Sequence, residues 1–175
     1  MENMENLNNA INSKDGESQD TGRQYLTFTI NDNEYAVDIM KVMEIRGWTK
    51  TTTIPNSPDF MLGVINLRGL VIPIFDMKTR FSLGKTDATE KHVVIVLSVG
   101  TRTIGILVDA VSDILTITDS EIKLNPSSGD TEIDDQYVSG LISHEEKMVI
   151  LLDVDFLFDK ADIEAAKEKA SASSE

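Results

Sequence analysis

A chain of 175 residues with 41% hydrophobic content has room for one domain or for two small lobes sharing an interface. Its net charge of −14 argues against a nucleic-acid partner, whose phosphates are bound by clustered cations, and the absence of cysteine removes disulfides, thiolate nucleophiles and zinc–thiolate sites. The first residues lack the cationic head and apolar run of a secretory signal. No later stretch approaches ~18 consecutive apolar residues, so direct membrane insertion is not expected.

In chain order, residues 1–22 are rich in Asn, Glu, Ser and Asp, with little to bury against the entropy of ordering, which predicts a mobile tail. The pattern then changes. Tyr25, Thr27 and Thr29 alternate with Leu26, Phe28 and Ile30 as in a strand with one apolar face; Asn31-Asp32-Asn33 turns the chain and Glu34–Val37 returns. Ile39, Val42, Met43 and Ile45 carry mixed spacing that fits either a helical turn or a strand. Pro58 is placed to start a short helix through Phe60-Met61-Leu62, and Pro73 inside an apolar run implies an edge strand or a bulge. Val64-Ile65 and Leu70–Ile74 flank a tight Asn66-Leu67-Arg68-Gly69 turn, in which Gly69 supplies the permissive backbone and Arg68 projects from the tip. A planar, permanently charged donor held there suits a carboxylate; a solvated arginine without a role is the alternative. Two further antiparallel hairpins are expected: His92–Val99 with Arg102–Val108 around Gly100-Thr101, and Tyr137–Ile142 with Met148–Leu152 around Ser143–Glu146. Ala161–Ala170 consists of good helix formers and predicts a C-terminal helix fraying into the last residues of 161–175.

A faint internal repeat supports this mainly β organisation. Tyr35-Ala36-Val37 followed by Val42, Glu44 and Ile45 lines up with Ile104-Gly105-Ile106 followed by Val111, Asp113 and Ile114. Likewise Gly63-Val64-Ile65 with Ile74-Phe75-Asp76 matches Gly140-Leu141-Ile142 with Leu151-Leu152-Asp153. Two similar small barrels, stabilised by packing on each other, would follow, with a groove between them as a natural binding site.

Catalytic candidates are few. Of the two histidines, His92 opens a strand and His144 sits in a turn, where exposed or capping roles outweigh that of a base, and neither has metal-ligand spacing. Asp38, Asp76, Asp109 and Asp153 each follow an apolar segment, where a carboxylate commonly caps what comes next. No phosphate-binding loop, dinucleotide fingerprint or nucleophile elbow is present, so neither a cofactor nor a metal is expected. Trp48, within Arg46–Lys50, fits a barrel-rim cover better than a partner anchor.

The ordered series Tyr25–Phe28, Glu34–Asp38, Val42-Met43-Glu44-Ile45-Arg46-Gly47, Ile54-Pro55-Asn56, Phe60–Gly63, Val64-Ile65-Asn66-Leu67-Arg68-Gly69 with Ile72-Pro73-Ile74, Val93–Val96 and Gly105–Asp113 resembles the CheW family of bacterial chemotaxis coupling proteins. The resemblance covers nearly all of residues 24–160. It implies two SH3-like five-stranded β-barrel lobes with short helices, in a domain over 23–160 divided at about 23–85 and 86–160. It also implies no enzymatic activity and a cytoplasmic place at membrane-associated chemoreceptor arrays. The implied partners are the signalling tips of methyl-accepting chemoreceptors and the regulatory domain of the histidine kinase CheA. Val42, Glu44 and Arg68 match positions the family uses near the receptor groove, with Ile39 expected to extend the apolar contact; Glu44 and Arg68 pairing only with each other is the alternative. Met61, Leu62 and Gly63 match a kinase-contact segment, although the family often carries lysine where Leu62 stands. The loop after Pro126, Ser127-Ser128-Gly129, also departs from the family in offering no aromatic anchor. Two other readings remain: a module like the CheW-like half of CheV, and a small acid-using hydrolase, which a close buried pair of carboxylates would favour.

Overall fold

The computed structural model describes residues 2–12, 22–123 and 137–158. The expected C-terminal helix, the loop after Pro126 and the tail beyond residue 160 lie outside the described residues. Strands β1 (Arg23–Ile30) and β2 (Asn33–Asp38) form the first hairpin, in register from Tyr25 opposite Asp38 to Ile30 opposite Asn33. Asn31 and Asp32 both take positive φ, 52° and 70°, the two-residue turn whose twist suits a hairpin. The carboxylate of Asp38 accepts from the Met40 N–H at 2.9 Å and caps a 3-10 turn over Ile39–Lys41, after which β3 (Val42–Gly47) begins. The mixed spacing of this stretch is thus a helical turn followed by a strand.

Strands β4 (Met61–Leu67) and β5 (Leu70–Asp76) enclose the Arg68-Gly69 turn; β6 (Val93–Val99) and β7 (Arg102–Val108) form the expected central hairpin. Then come β8 (Ala110–Ile117), a two-residue β9 (Ile122–Lys123), β10 (Val138–His144) and β11 (Lys147–Leu152). No helix starts at Pro58. Its carbonyl instead accepts from the Met61 N–H at 2.9 Å, closing a turn that delivers the chain directly into β4. Nor does Pro73 mark an edge: β5 lies between β4 and β7, and the parallel ladder with β7 opens one residue later, at Ile74 opposite Gly105.

The strands make two sheets, in the orders β8-β1-β2-β11-β10-β9 and β3-β6-β7-β5-β4. A division of the lobes near residue 85 does not hold. β6 and β7 join the sheet of β3–β5, whereas β1 and β2 pair with β8 and β11. The repeat explains the exchange. Ala36 pairs with Leu151 in one parallel ladder and Gly105 with Ile74 in the other, the positions that the two halves align. Register shifts recur in equivalent places too, between Val42 and Glu44 and between Thr27 and Phe28 opposite Asp113 and Val111, then between Met61 and Gly63 and between Val138 and Gly140. One lobe therefore takes the β1–β2 hairpin from the first half of the chain and β8–β11 from the second, and the other takes β3–β5 from the first half and the β6–β7 hairpin from the second.

Strand alternation sorts the apolar residues into three clusters. Val94, Val96, Leu107, Ile72 and Ile74 fill one lobe; Tyr25, Ala36, Leu115, Ile142, Val149 and Leu151 fill the other. The opposite faces of the same strands, including Leu26, Phe28, Val37, Ile95, Leu97, Ile104 and Ile106, meet in a single shared cluster. Neighbouring residues on β6 thus serve different cores, which is why its sequence is apolar without a break from Val93 to Leu97 instead of alternating with polar residues.

The N-terminal segment departs from expectation. Instead of a mobile tail over residues 1–22, Glu2–Asn12 is a helix, α1, with Leu7 and Ile11 buried in the shared cluster and Met4 packed on its margin. The composition of the whole segment hid three apolar residues at i, i+3 and i+7, spacing that lines one helical face. Residues 13–21 lie outside the described residues.

Two short helices lock the lobes together: α2 (Met77–Arg80) after β5 and α3 (Val154–Leu157) after β11. From α2, the guanidinium of Arg80 donates to the Leu157 carbonyl through Nε (3.2 Å) and Nη2 (3.0 Å) and to the Tyr137 hydroxyl at 2.7 Å. It also stacks over the Phe60 and Tyr137 rings, 5.2 and 4.8 Å from their centroids. Replacing Arg80 by Ala removes the charge from the end of α3 and should cost about 2–3 kcal/mol. Urea unfolding should show this, with R80K recovering less than half because an ammonium lacks the planar fork.

Candidate functional site

Glu44 stands on β3 and Arg68 at the tip of the β4–β5 hairpin, at opposite ends of one sheet's strand order. They nevertheless meet: Arg68 Nη2 lies 3.1 Å from Glu44 Oε1, which requires the sheet to curl on itself as a barrel lobe does. Arg46, two residues along the same face of β3, brings Nη1 to 3.8 Å from the same oxygen. The geometry is electrostatic only, since the buried Oε1 accepts no hydrogen bond. With the Arg68 side chain 70% exposed, this pair contributes roughly 0–1 kcal/mol to stability. Oε1 is thus held in place by charge while its hydrogen-bonding capacity is unused.

The apolar residues expected beside it are placed otherwise. Ile39 and Val42 are 2% and 0% exposed, inside the shared cluster, and cannot present a contact face in this conformation. The exposed apolar residues are others: Met40 and Met43 next to them in the chain, and Leu70 and Val71 at the start of β5; Met43 accepts a weak bond from the Thr103 hydroxyl at 3.7 Å. Ile39 lies in the 3-10 turn and Val42 on the inward side of β3, where the buried positions are Val42 and Ile45 while Met43 is exposed, so the apolar residues ahead of Glu44 serve the core.

Met61, Leu62 and Gly63 occupy the start of β4. Met61 is buried opposite Phe75, and Leu62, at the register shift, leans half-buried on the inner cluster of its lobe. Gly63 is constrained by the backbone: its φ is 139°, and a Cβ there would collide with the carbonyl of Thr52, whose N–H and C=O pair with Val64 at 2.9 Å each. Leu62 is the member of the three with accessible side-chain surface. Trp48 packs against the same inner cluster and donates its backbone N–H to the His92 carbonyl, a rim position.

The carboxylates do structural work. Asp38, Asp76 and Asp153 accept from the N–H groups of Met40, Lys78 and Asp155 at the starts of short helical turns. Asp109 accepts from Asn31 N at 2.8 Å, holding the β1–β2 turn, and faces His92 Nε2 at 3.6 Å. The other imidazole nitrogen of His92 accepts from the Thr89 N–H at 3.0 Å, and His144 lies beside Glu145 near the β10–β11 turn. Among the described residues Asp76 is the buried carboxylate; the close buried pair that a hydrolase reading needs is not found among them.

Sequence reading missed Asn8. From α1 its carboxamide donates Nδ2 to the Ile45 carbonyl at 2.9 Å and accepts the Ile45 N–H through Oδ1 at 2.8 Å, occupying both backbone groups on the free edge of β3. Only the helical spacing of Met4, Leu7 and Ile11 could have signalled that a side chain would reach this edge.

A pair of interlocked β lobes, with its charged and apolar exposed groups on strand edges and hairpin tips, defines a docking scaffold. The CheW-like domain profile matches residues 24–162. A probable chemotaxis protein CheW of Rhizobium etli is 44% identical over 144 residues, covering 82% of this chain and 92% of that protein. The chemotaxis protein CheW of Rhizobium meliloti is 42% identical, covering 83% and 93%. The crystal structure of the scaffolding protein TtCheW from Thermoanaerobacter tengcongensis superposes with a TM-score of 0.74 at 31% identity, over 82% of this chain and 92% of that one. The chain belongs to the CheW family of chemotaxis scaffold proteins.

Proposed function

We propose that this protein couples the cytoplasmic tips of methyl-accepting chemoreceptors to the regulatory domain of the histidine kinase CheA, as a non-enzymatic adaptor in the cytoplasm recruited to receptor arrays. The observation that carries the receptor part is the Glu44–Arg68 pair: opposite charges 3.1 Å apart, with exposed Met43 next to Glu44 in the chain and exposed Leu70 and Val71 just past Arg68. A receptor helix laid there would bury apolar area for affinity, while the two charges select polar partners and set its register. Because the pair contributes little to folding, it is free to exchange partners. Leu62 is the residue of the Met61–Gly63 segment proposed to touch the kinase, with Met61 and Gly63 shaping the strand beneath it. Among the described residues no helix is long and apolar enough to cross a membrane, so recruitment would run through the receptors.

Substituting Arg68 by Ala tests the receptor contact. Pulldown from bacterial lysate should lose the receptor by tenfold or more while the melting temperature stays within about 2 °C of the parent. Retained receptor, or an equal loss of stability and binding, would reduce the pair to a fold element. Recovery of neither receptor nor kinase by the unmodified chain would remove the coupling function altogether.

A further inference from the structure

Helix α1 lies across β3 and β8, edge strands of the two different sheets, and so bridges the seam between the lobes. Its grip is unusual in kind. The Asn8 carboxamide imitates a neighbouring strand by closing the donor and the acceptor of Ile45, one residue from Glu44. Met4, Leu7 and Ile11 place apolar side chains into or against the shared cluster. Yet the sequence of the helix, ENMENLNNAIN, is a poor helix former on its own, with five asparagines in 11 residues, so its order depends on the seat it occupies. The fit is also incomplete. A cavity of about 290 Å³ remains beside it, lined by Met4, Leu7, Gly47, His92, Val93 and Val111.

We infer that α1 is an intramolecular stand-in for the partner helix: it occupies the β3–β8 seam in cis, and docking of a receptor helix requires its release. The inference rests on the receptor reading above and adds the chemistry of the occupant. The seam takes an amphipathic helix with apolar residues at i, i+3 and i+7 and a carboxamide at i+4, the pattern of Met4, Leu7, Ile11 and Asn8. A partner whose side chains are bulkier at the first two positions fills the space that Met4 and Leu7 leave, and gains packing that the resident helix lacks. Seating of α1 then sets a threshold that a strong partner crosses and a weak one does not, a competition in which the resident helix reduces apparent affinity by the fraction of time it is seated.

The test uses the full chain, a chain lacking residues 1–12 and N8A, each titrated with a soluble helical hairpin from a chemoreceptor signalling tip. Removing residues 1–12 should tighten binding at least fivefold, and N8A should tighten it by a smaller factor. In the intact protein the side-chain amide resonances of Asn8 should move to free-chain positions as the hairpin saturates. Equal or weaker binding by a truncated chain with unchanged far-UV circular dichroism, or Asn8 resonances that stay in place in the saturated complex, overturns the inference while leaving the receptor reading intact. The resonance measurement decides the matter even where the truncated chain does not fold. Binding of the hairpin by none of the three proteins overturns both.

Discussion

Replacing Gly63 by Val should lower the melting temperature by about 10 °C or more, the largest effect expected from a single side chain in β4. Two penalties act together. The residue sits at φ 139°, where a branched side chain is strained by roughly 1–3 kcal/mol, and its Cβ would press on the carbonyl of Thr52. That carbonyl cannot retreat without breaking the Thr52–Val64 bridge, whose two bonds of 2.9 Å cover the outer edge of β4. A further 1–3 kcal/mol for the forced backbone shift brings the total to about 2–6 kcal/mol. Differential scanning calorimetry would measure it, and a shift under about 3 °C would mean that the Thr52 segment yields easily. The proposed kinase binding is expected to fall only in proportion to the unfolded fraction. A Leu62→Ser variant, altering surface and leaving the glycine untouched, should instead weaken kinase binding at near-parental stability.

The second large loss is expected at Asp76, 1% exposed. Its two oxygens accept from the Lys78 N–H at 3.2 Å, the Thr79 hydroxyl at 2.8 Å, the Thr86 N–H at 2.9 Å and the Thr86 hydroxyl at 2.6 Å. One carboxylate thus organises the chain from α2 to Thr86, just ahead of the crossing into the second half. D76A leaves these donors without an acceptor, and with about 1–3 kcal/mol for each buried group that stays unsatisfied the protein should lose about 3–4 kcal/mol after partial hydration. D76N should recover only part, because its amide nitrogen faces donors at one of the two oxygen positions. Equilibrium urea denaturation would compare the three proteins; an alanine variant within 1 kcal/mol of the parent would show the 77–86 segment to be held by other contacts.

Much of this architecture could be read from residue order because its strands announce themselves locally. Leu26, Phe28 and Ile30 point to a buried face by simple alternation, and Asn31-Asp32 and Arg68-Gly69 take the positive φ values that hairpin turns require. Sheet membership is different. When two halves carry equivalent strands, the β1–β2 hairpin has matching edges available in either half, and local pattern cannot distinguish pairing within a half from exchange between halves. Tertiary packing decides it. Of the candidate site, the meeting of its two charges was one of the alternatives the sequence offered, and its exposed apolar residues were not. Glu44 and Arg68 meet, but Ile39 and Val42 serve the shared cluster, because Val42 falls on the inward side of β3 with Ile45 and Ile39 is buried in the turn before it. Asn8 and α1 were hidden by averaging composition over a segment in which three well-spaced apolar residues sufficed to order a helix.

The exchange of hairpins has a further consequence for how the chain can be divided. A cut in the connection between Lys85 and Glu90 would separate two pieces, each carrying a hairpin whose sheet only the other can complete. Neither piece should persist alone. Mixed together, they should reassociate at a rate that rises with concentration, so the scaffold could be delivered as two inert fragments that become one protein only where both are present.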